Sequence, residues 1–235
     1  MSPARFGNPV YVAIDTPDME RALSLVRMVS PYAGGLKVGL EFISAYGPGG
    51  IRVIAAMNLP VFADVKFHDI PNTVAGAARE IAKTGASIFN VHASGGEAML
   101  RAAVESAREV NPDIKTIAVT VLTSLDDAAL DAVGQRGPAA DQVVRLASLA
   151  KHCGLDGVVC SAHEIAAIRR ECGDDFMLVV PGIRPAGSDL ADQRRVMTPR
   201  EAADAGADIL VIGRPINAAD DPAAAAKAIQ GSLHG

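Results

Sequence analysis

Tryptophan is absent from the 235-residue chain, and aromatic residues make up only 4% of it. Large rings can therefore supply only a small part of the interior. Alanine, valine, leucine and isoleucine must supply the rest, and apolar residues reach 49%. The three cysteines, Cys153, Cys160 and Cys172, never stand as C-x-x-C, which argues against a disulfide framework and against a zinc site. They are expected to be reduced, buried thiols. Basic residues are outnumbered, 22 to 27, and the net charge of -5 disfavours a phosphate-backbone partner. No run of six like charges forms a tail or arm. No apolar run approaches a membrane span, and the N-terminal MSPARFGNPVYVAID carries no signal-type apolar region. A soluble cytoplasmic protein is the expectation.

What is present is a regular succession of short β-branched runs. Val10–Asp15, Gly35–Gly39, Val61–Lys66, Ile88–His92, Ile114–Leu122, Gly157–Cys160, Leu178–Pro181 and Ile209–Gly213 read as strands. Several are apolar almost throughout, as parallel strands covered on both faces should be. Between them lie helical patterns. Val74, Ala77, Ala78, Ile81 and Ala82 recur at helical spacing, predicting an amphipathic helix over Thr73–Lys83 with Asn72 as its cap and Gly85 beyond its end. Ser161 with Glu164, and Thr198 with Glu201, fit capping boxes, the second with Pro199 at the first helical position. Pro48-Gly49-Gly50 and Gly134–Pro138 read as loops.

Eight strand–helix repeats in this length fit a (β/α)8 barrel, with residues 1–235 as one domain. An open doubly wound sheet is the alternative, but no G-x-G-x-x-G follows the first strand.

The barrel gives meaning to ADVKFHDIPN, residues 63–72. Alternation along the strand sends Asp64 and Lys66 to one side, the barrel axis, and Val65 and Phe67 to the other. Asp69 falls on the following loop. Asp15 ends the first strand and Lys37 lies on the second, so Asp15, Lys37, Asp64 and Lys66 can form an alternating acid–base array at the C-terminal mouth, where such barrels place their active sites. Isolated buried charges are costly and paired ones tolerable. Four at the ends of three neighbouring strands point to a site and not merely to a rim of ion bridges. After the seventh and eighth strands come Pro181-Gly182-Ile183-Arg184 and Ile212-Gly213-Arg214-Pro215, where this fold usually cradles phosphate. Gln193, in the long loop between Arg184 and Arg195, can fold over a ligand.

The string Asp64-x-Lys66-x-x-Asp69-Ile70-Pro71-Asn72-Thr73, with Pro181–Arg184, Asp192-Gln193-Arg194-Arg195 and Ile212–Pro215, resembles the orotidine 5′-monophosphate decarboxylase family over essentially the whole chain. That resemblance implies a reaction without cofactor or metal, in which orotidine 5′-monophosphate loses its C6 carboxylate as carbon dioxide and becomes uridine 5′-monophosphate. It implies a homodimer in which Asp69, Ile70 and Thr73 reach the neighbouring subunit's site. By the same resemblance Asp15 holds the ribose, Lys37 and Asp64 belong to the charged array, and Lys66 protonates C6. Arg214, Gln193 and the Gly213 backbone hold the phosphate, with Arg184 nearby, and Thr123 contacts the substrate. Whether Thr123 or Ser124 faces the pyrimidine stays open. Two rivals are a magnesium-dependent sugar-phosphate decarboxylase or aldolase, which would want a second carboxylate where Lys37 stands, and a phosphate sensor, which would have no use for Lys66.

Overall fold

The computed structural model describes residues 7–185 and 197–233. Eight parallel strands close a barrel in chain order: β1 (Val10–Ile14), β2 (Gly35–Val38), β3 (Val61–Phe67), β4 (Ile88–His92), β5 (Lys115–Val119), β6 (Gly157–Val159), β7 (Met177–Pro181) and β8 (Ile209–Ile212). β8 pairs with β1 to seal the ring, so the sheet has no open edge. The expected strands match these within a residue or two, except β5. Its apolar run reads on to Leu122, but the strand ends at Val119. Thr120 turns its hydroxyl onto the Val159 carbonyl at 3.0 Å, and the Leu125 N–H then closes a turn onto the Leu122 carbonyl.

The core has two layers. Tyr11, Ala13, Phe62, Ile88, Ile117, Met177, Val179, Ile209 and Val211 fill the barrel itself. A larger shell of aliphatic side chains lies between the sheet and the helices. Without tryptophan, the interior relies on large residues set against glycine. A side chain at Gly35 would strike the Tyr11 ring, and one at Gly157 would strike the Met177 backbone.

Two expectations about helices need correction. The helix expected at Thr73–Lys83 spans Pro71–Ala82, with Ile70 and not Asn72 at its cap position. Pro71 starts it because a fixed φ and a missing N–H suit the first helical residue. Pro48-Gly49-Gly50 is not a loop but lies within Leu40–Ala55. Gly47 alone leaves helical geometry, at φ 57 and ψ -157, and Pro48 restarts the helix beyond that kink. The Thr198 capping box forms as expected: the Glu201 N–H donates to the threonine hydroxyl at 3.3 Å, and the Thr198 N–H donates to the Glu201 carboxylate at 2.9 Å. Among the described residues no helix is long and apolar enough to cross a membrane. Cys153, Cys160 and Cys172 are free and buried.

Candidate active site

The four charges expected at the barrel mouth lie together. The Lys37 ammonium is 2.9 Å from Asp15 Oδ1 and 3.5 Å from Asp64 Oδ2, while the Lys66 ammonium is 2.5 Å from Asp64 Oδ1. The order around the arc is therefore acid, base, acid, base. β1, β2 and β3 set it, because Lys37 is in register with Ala13 of β1 and Phe62 of β3, both inward-facing. Gly39 leaves the space the Asp15–Lys37 pair needs: a β-carbon there would lie 2.7 Å from both the carboxylate oxygen and the ammonium. Burial pushes the Asp64 carboxyl upward, but Lys37, Lys66 and the hydrogen bonds from Lys66 and Asn90 outweigh it. Asp64 is held below its ordinary value, ionised and acceptor-only.

β3 is less regular than simple alternation suggests. Its ladder with β4 pairs Ala63 with Phe89 and then Phe67 with Val91. Lys66 sits in the left-handed region at φ 52, uncommon for a residue with a long side chain. Asn90, wholly buried on β4, meets both ends of this irregularity. Its side-chain oxygen accepts the Lys66 N–H at 2.7 Å, and its amide nitrogen donates to Asp64 Oδ1 at 2.7 Å. Asn90 was not among the residues expected from sequence. The available signal was parity: Ile88 faces the barrel interior, so Asn90 and His92 face it too.

His92 packs against His68, with ring centroids 5.4 Å apart. Burial, then the charges of His68 and Lys66, draw its imidazole below the ordinary value. Across the barrel, β5 to β8 carry Val119, Val159, Val179 and Val211 at inward positions, the first three in register with one another. Val179 and Val211 belong to the inner core, Val159 packs on it, and Val119 shares the face of Ile117. The rim is thus divided into a charged arc and an aliphatic one.

The remaining expected residues surround this mouth or lie outside the description. Asp69 is exposed beyond β3, and its carboxylate accepts the Ile70 N–H at 2.7 Å. Ile70 and Thr73 are exposed beside it. Thr123 and Ser124 are both exposed in the turn after β5. Arg184 is buried after β7, with Nη1 donating to the Ile183 carbonyl at 3.0 Å. Gly213 starts a short helix, Arg214–Asn217, with Arg214 exposed. Asn217 donates to the Ala13 carbonyl and so ties that helix to β1. Gln193 falls outside the described residues. Among those described, no group of three His, Cys, Asp or Glu side chains is arranged to hold a metal ion.

Residues 8–229 match the model of the orotidine 5′-phosphate decarboxylase / HUMPS family. The chain belongs to that family. It is 51% identical over 231 residues to the orotidine 5′-phosphate decarboxylase of Paramagnetospirillum magneticum, covering 96% of this chain and 98% of the relative. With the orotidine 5′-phosphate decarboxylase of Moorella thermoacetica it shares 55% over 230 residues, covering 95% and 91%. The crystal structure of orotidine 5′-phosphate decarboxylase from Lactobacillus acidophilus superposes with a TM-score of 0.86 at 38% identity, covering 97% of this chain and all of that one. The orotidine 5′-phosphate decarboxylase / HUMPS match takes in all eight strands and every candidate residue from Asp15 to Arg214.

Proposed function

We propose that this chain decarboxylates orotidine 5′-monophosphate to uridine 5′-monophosphate, the UMP-forming step of pyrimidine biosynthesis, without a cofactor. The observation that carries this reading is the Lys66 ammonium, held 2.5 Å from Asp64 within the Asp15–Lys37–Asp64–Lys66 arc.

In the reaction the bond from C6 to the carboxylate breaks and carbon dioxide leaves. The electron pair stays on C6, in the ring plane, where no carbonyl delocalises it. Lys66 stabilises that pair as a fixed cation and then gives C6 its proton, to be re-protonated later from solvent. Asp64, facing the substrate carboxylate, also repels it. Two unit charges about 4 Å apart interact by about 4 kcal/mol at an effective dielectric near 20. Very slow reactions need roughly 20 kcal/mol of barrier lowering, so repulsion supplies a fraction and preorganised electrostatics the larger share.

In this reading Asp15 holds the ribose and Lys37 keeps both neighbouring carboxylates in place. Gly213 N–H, Arg214 and Gln193 hold the phosphate, with Arg184 close by, and the Thr123–Ser124 turn meets the pyrimidine. The phosphate grip, far from C6, supplies binding energy that keeps the array aligned. The protein acts as a homodimer, with Asp69, Ile70 and Thr73 completing the partner's site. In this reading Ile70, 67% exposed beside the mouth, is covered by the partner. Three free thiols suit a reducing cytoplasm, and residues 1–235 act as one catalytic domain.

The direct experiment incubates the protein with orotidine 5′-monophosphate and follows the ultraviolet absorbance as the substrate loses its carboxylate, with and without EDTA. Conversion unaffected by EDTA is expected. No conversion defeats the assignment, and EDTA-sensitive conversion defeats its metal-free form.

A further inference from the structure

We infer that Asn90 is a positioning residue for this chemistry: its single amide fixes both the backbone of Lys66 and the carboxylate of Asp64. The inference rests on the proposed decarboxylation and adds a residue to it.

The β3–β4 register makes the case. Between the pairs Ala63–Phe89 and Phe67–Val91, three β3 residues (Asp64, Val65 and Lys66) stand against one β4 residue, Asn90. A ladder cannot supply main-chain partners across such a mismatch. The side chain of Asn90 takes over, accepting the Lys66 N–H at 2.7 Å. Lys66 is there held at φ 52, which sets the direction in which its side chain leaves the strand. The other end of the amide donates to Asp64 Oδ1 at 2.7 Å, the same oxygen that meets the Lys66 ammonium at 2.5 Å. That contact orients the carboxylate, leaving Oδ2 for Lys37 at 3.5 Å. The amide can face only one way, since a main-chain N–H needs an acceptor and an ionised carboxylate needs a donor. Asn90 is wholly buried, so loss of its amide takes a built-in partner from both the Lys66 N–H and Asp64 Oδ1. Its two hydrogen bonds go to the Lys66 backbone and the Asp64 carboxylate, so it acts through these two neighbours.

The charged and titratable groups facing the amide are Asp64 and Lys66 from β3, Lys37 from β2 and His92 on its own strand, with His68 beyond. Asn90→Asp keeps the shape and the acceptor for Lys66 but sets a carboxylate against Asp64. Two carboxylates that close share a proton, and the shared proton rebuilds the donor that the amide supplied.

The test measures kcat from pH 5.5 to 8, affinity for uridine 5′-monophosphate, and thermal unfolding in the parent, Asn90→Ala and Asn90→Asp. The expected kcat losses at pH 8 are about 100-fold, the scale of a misplaced catalytic group. Product affinity should change far less, by under about fivefold (roughly 1 kcal/mol). Asn90→Asp should recover towards the parent as the pH falls, and Asn90→Ala should not. An Asn90→Asp profile of the parent's shape, or Asn90→Ala within about threefold of the parent, overturns the inference. Should Asn90→Ala fail to fold, the Asn90→Asp profile decides. A parent that does not turn over the substrate defeats the proposed function instead, and a crystal structure of Asn90→Asp at pH 8 then decides the positioning claim alone. Lys66 leaving positive φ or Asp64 rotating supports it, and an unchanged pair refutes it.

Discussion

The Lys66 ammonium meets the Asp64 carboxylate at 2.5 Å, although the two residues lie only two positions apart on one strand. Residues of the same parity share one face of the sheet, and Lys66 reaches Asp64 from a left-handed backbone at φ 52. Lys66→Ala should therefore still bind uridine 5′-monophosphate and lose at least about 10³-fold in kcat, the upper range for removing one preorganised stabilising group. Single-turnover absorbance measures it, and more than a few per cent of parental kcat would remove Lys66 from the proton-transfer step.

Gly39 gives a test from the other end of the array. Its backbone, at φ -103 and ψ -174, accepts any side chain, but a methyl group there meets Asp15 and Lys37 at 2.7 Å. Both are tips of flexible chains, so Gly39→Ala should unfold within about 1 kcal/mol of the parent while kcat/KM falls about 10- to 100-fold. Denaturant melts and steady-state kinetics separate the two effects. Unchanged kcat/KM means that the Asp15–Lys37 contact is not needed in its present geometry.

Arg214→Ala should weaken uridine 5′-monophosphate about 10- to 100-fold, the worth of a charge-assisted hydrogen bond or two. Uridine itself, lacking the phosphate, should bind as before. Calorimetry on both ligands checks this, and equal weakening of both moves the phosphate site elsewhere.

Ile70→Asp places a charge at the centre of the exposed segment that the dimer is proposed to cover. An unpaired buried charge is strongly destabilising at an interface. Light scattering should show the monomer, with activity lost in proportion, because in the proposed dimer each site is completed by Asp69 of the partner subunit. A variant that remains a dimer with parental kcat places the interface on another face.

His92 sets an acid limb for stability. Burial, then His68, then Lys66 hold its imidazole below the unfolded value of 6.5. Folding thus favours the neutral ring. Its contribution is complete above about pH 6.5 and is lost as the pH falls through that value towards the folded pKa. Urea midpoints between pH 7.5 and 5 should decline more steeply for the parent than for His92→Gln. Equal slopes would show that other groups carry the pH dependence.

Most of the barrel was legible because each strand is a compact apolar run with its own boundaries; Asp64 and Lys66 could be placed by parity, and Asp15 and Lys37 by their positions at the end of the first strand and on the second. What escaped was non-local. The φ of Lys66 follows from a mismatch between two strands, and nothing in residues 63–67 alone announces it. Asn90 looks like one polar interruption in Ile88–His92, and its importance appears only once β3 lies beside it. Pro71 and Pro48 misled for a local reason: proline suggests a break, yet at a helix start it is a beginning.

The division of the rim between β1–β4 and β5–β8 is also a division of the gene. Ionic machinery is encoded before residue 93, whereas the valine wall, Arg184 and Arg214 are encoded after residue 118. Recombination at the midpoint would therefore exchange the valine wall and the proposed phosphate grip as one cassette while leaving Lys66 and the charges beside it intact. New substrates could then be explored without rebuilding the chemistry.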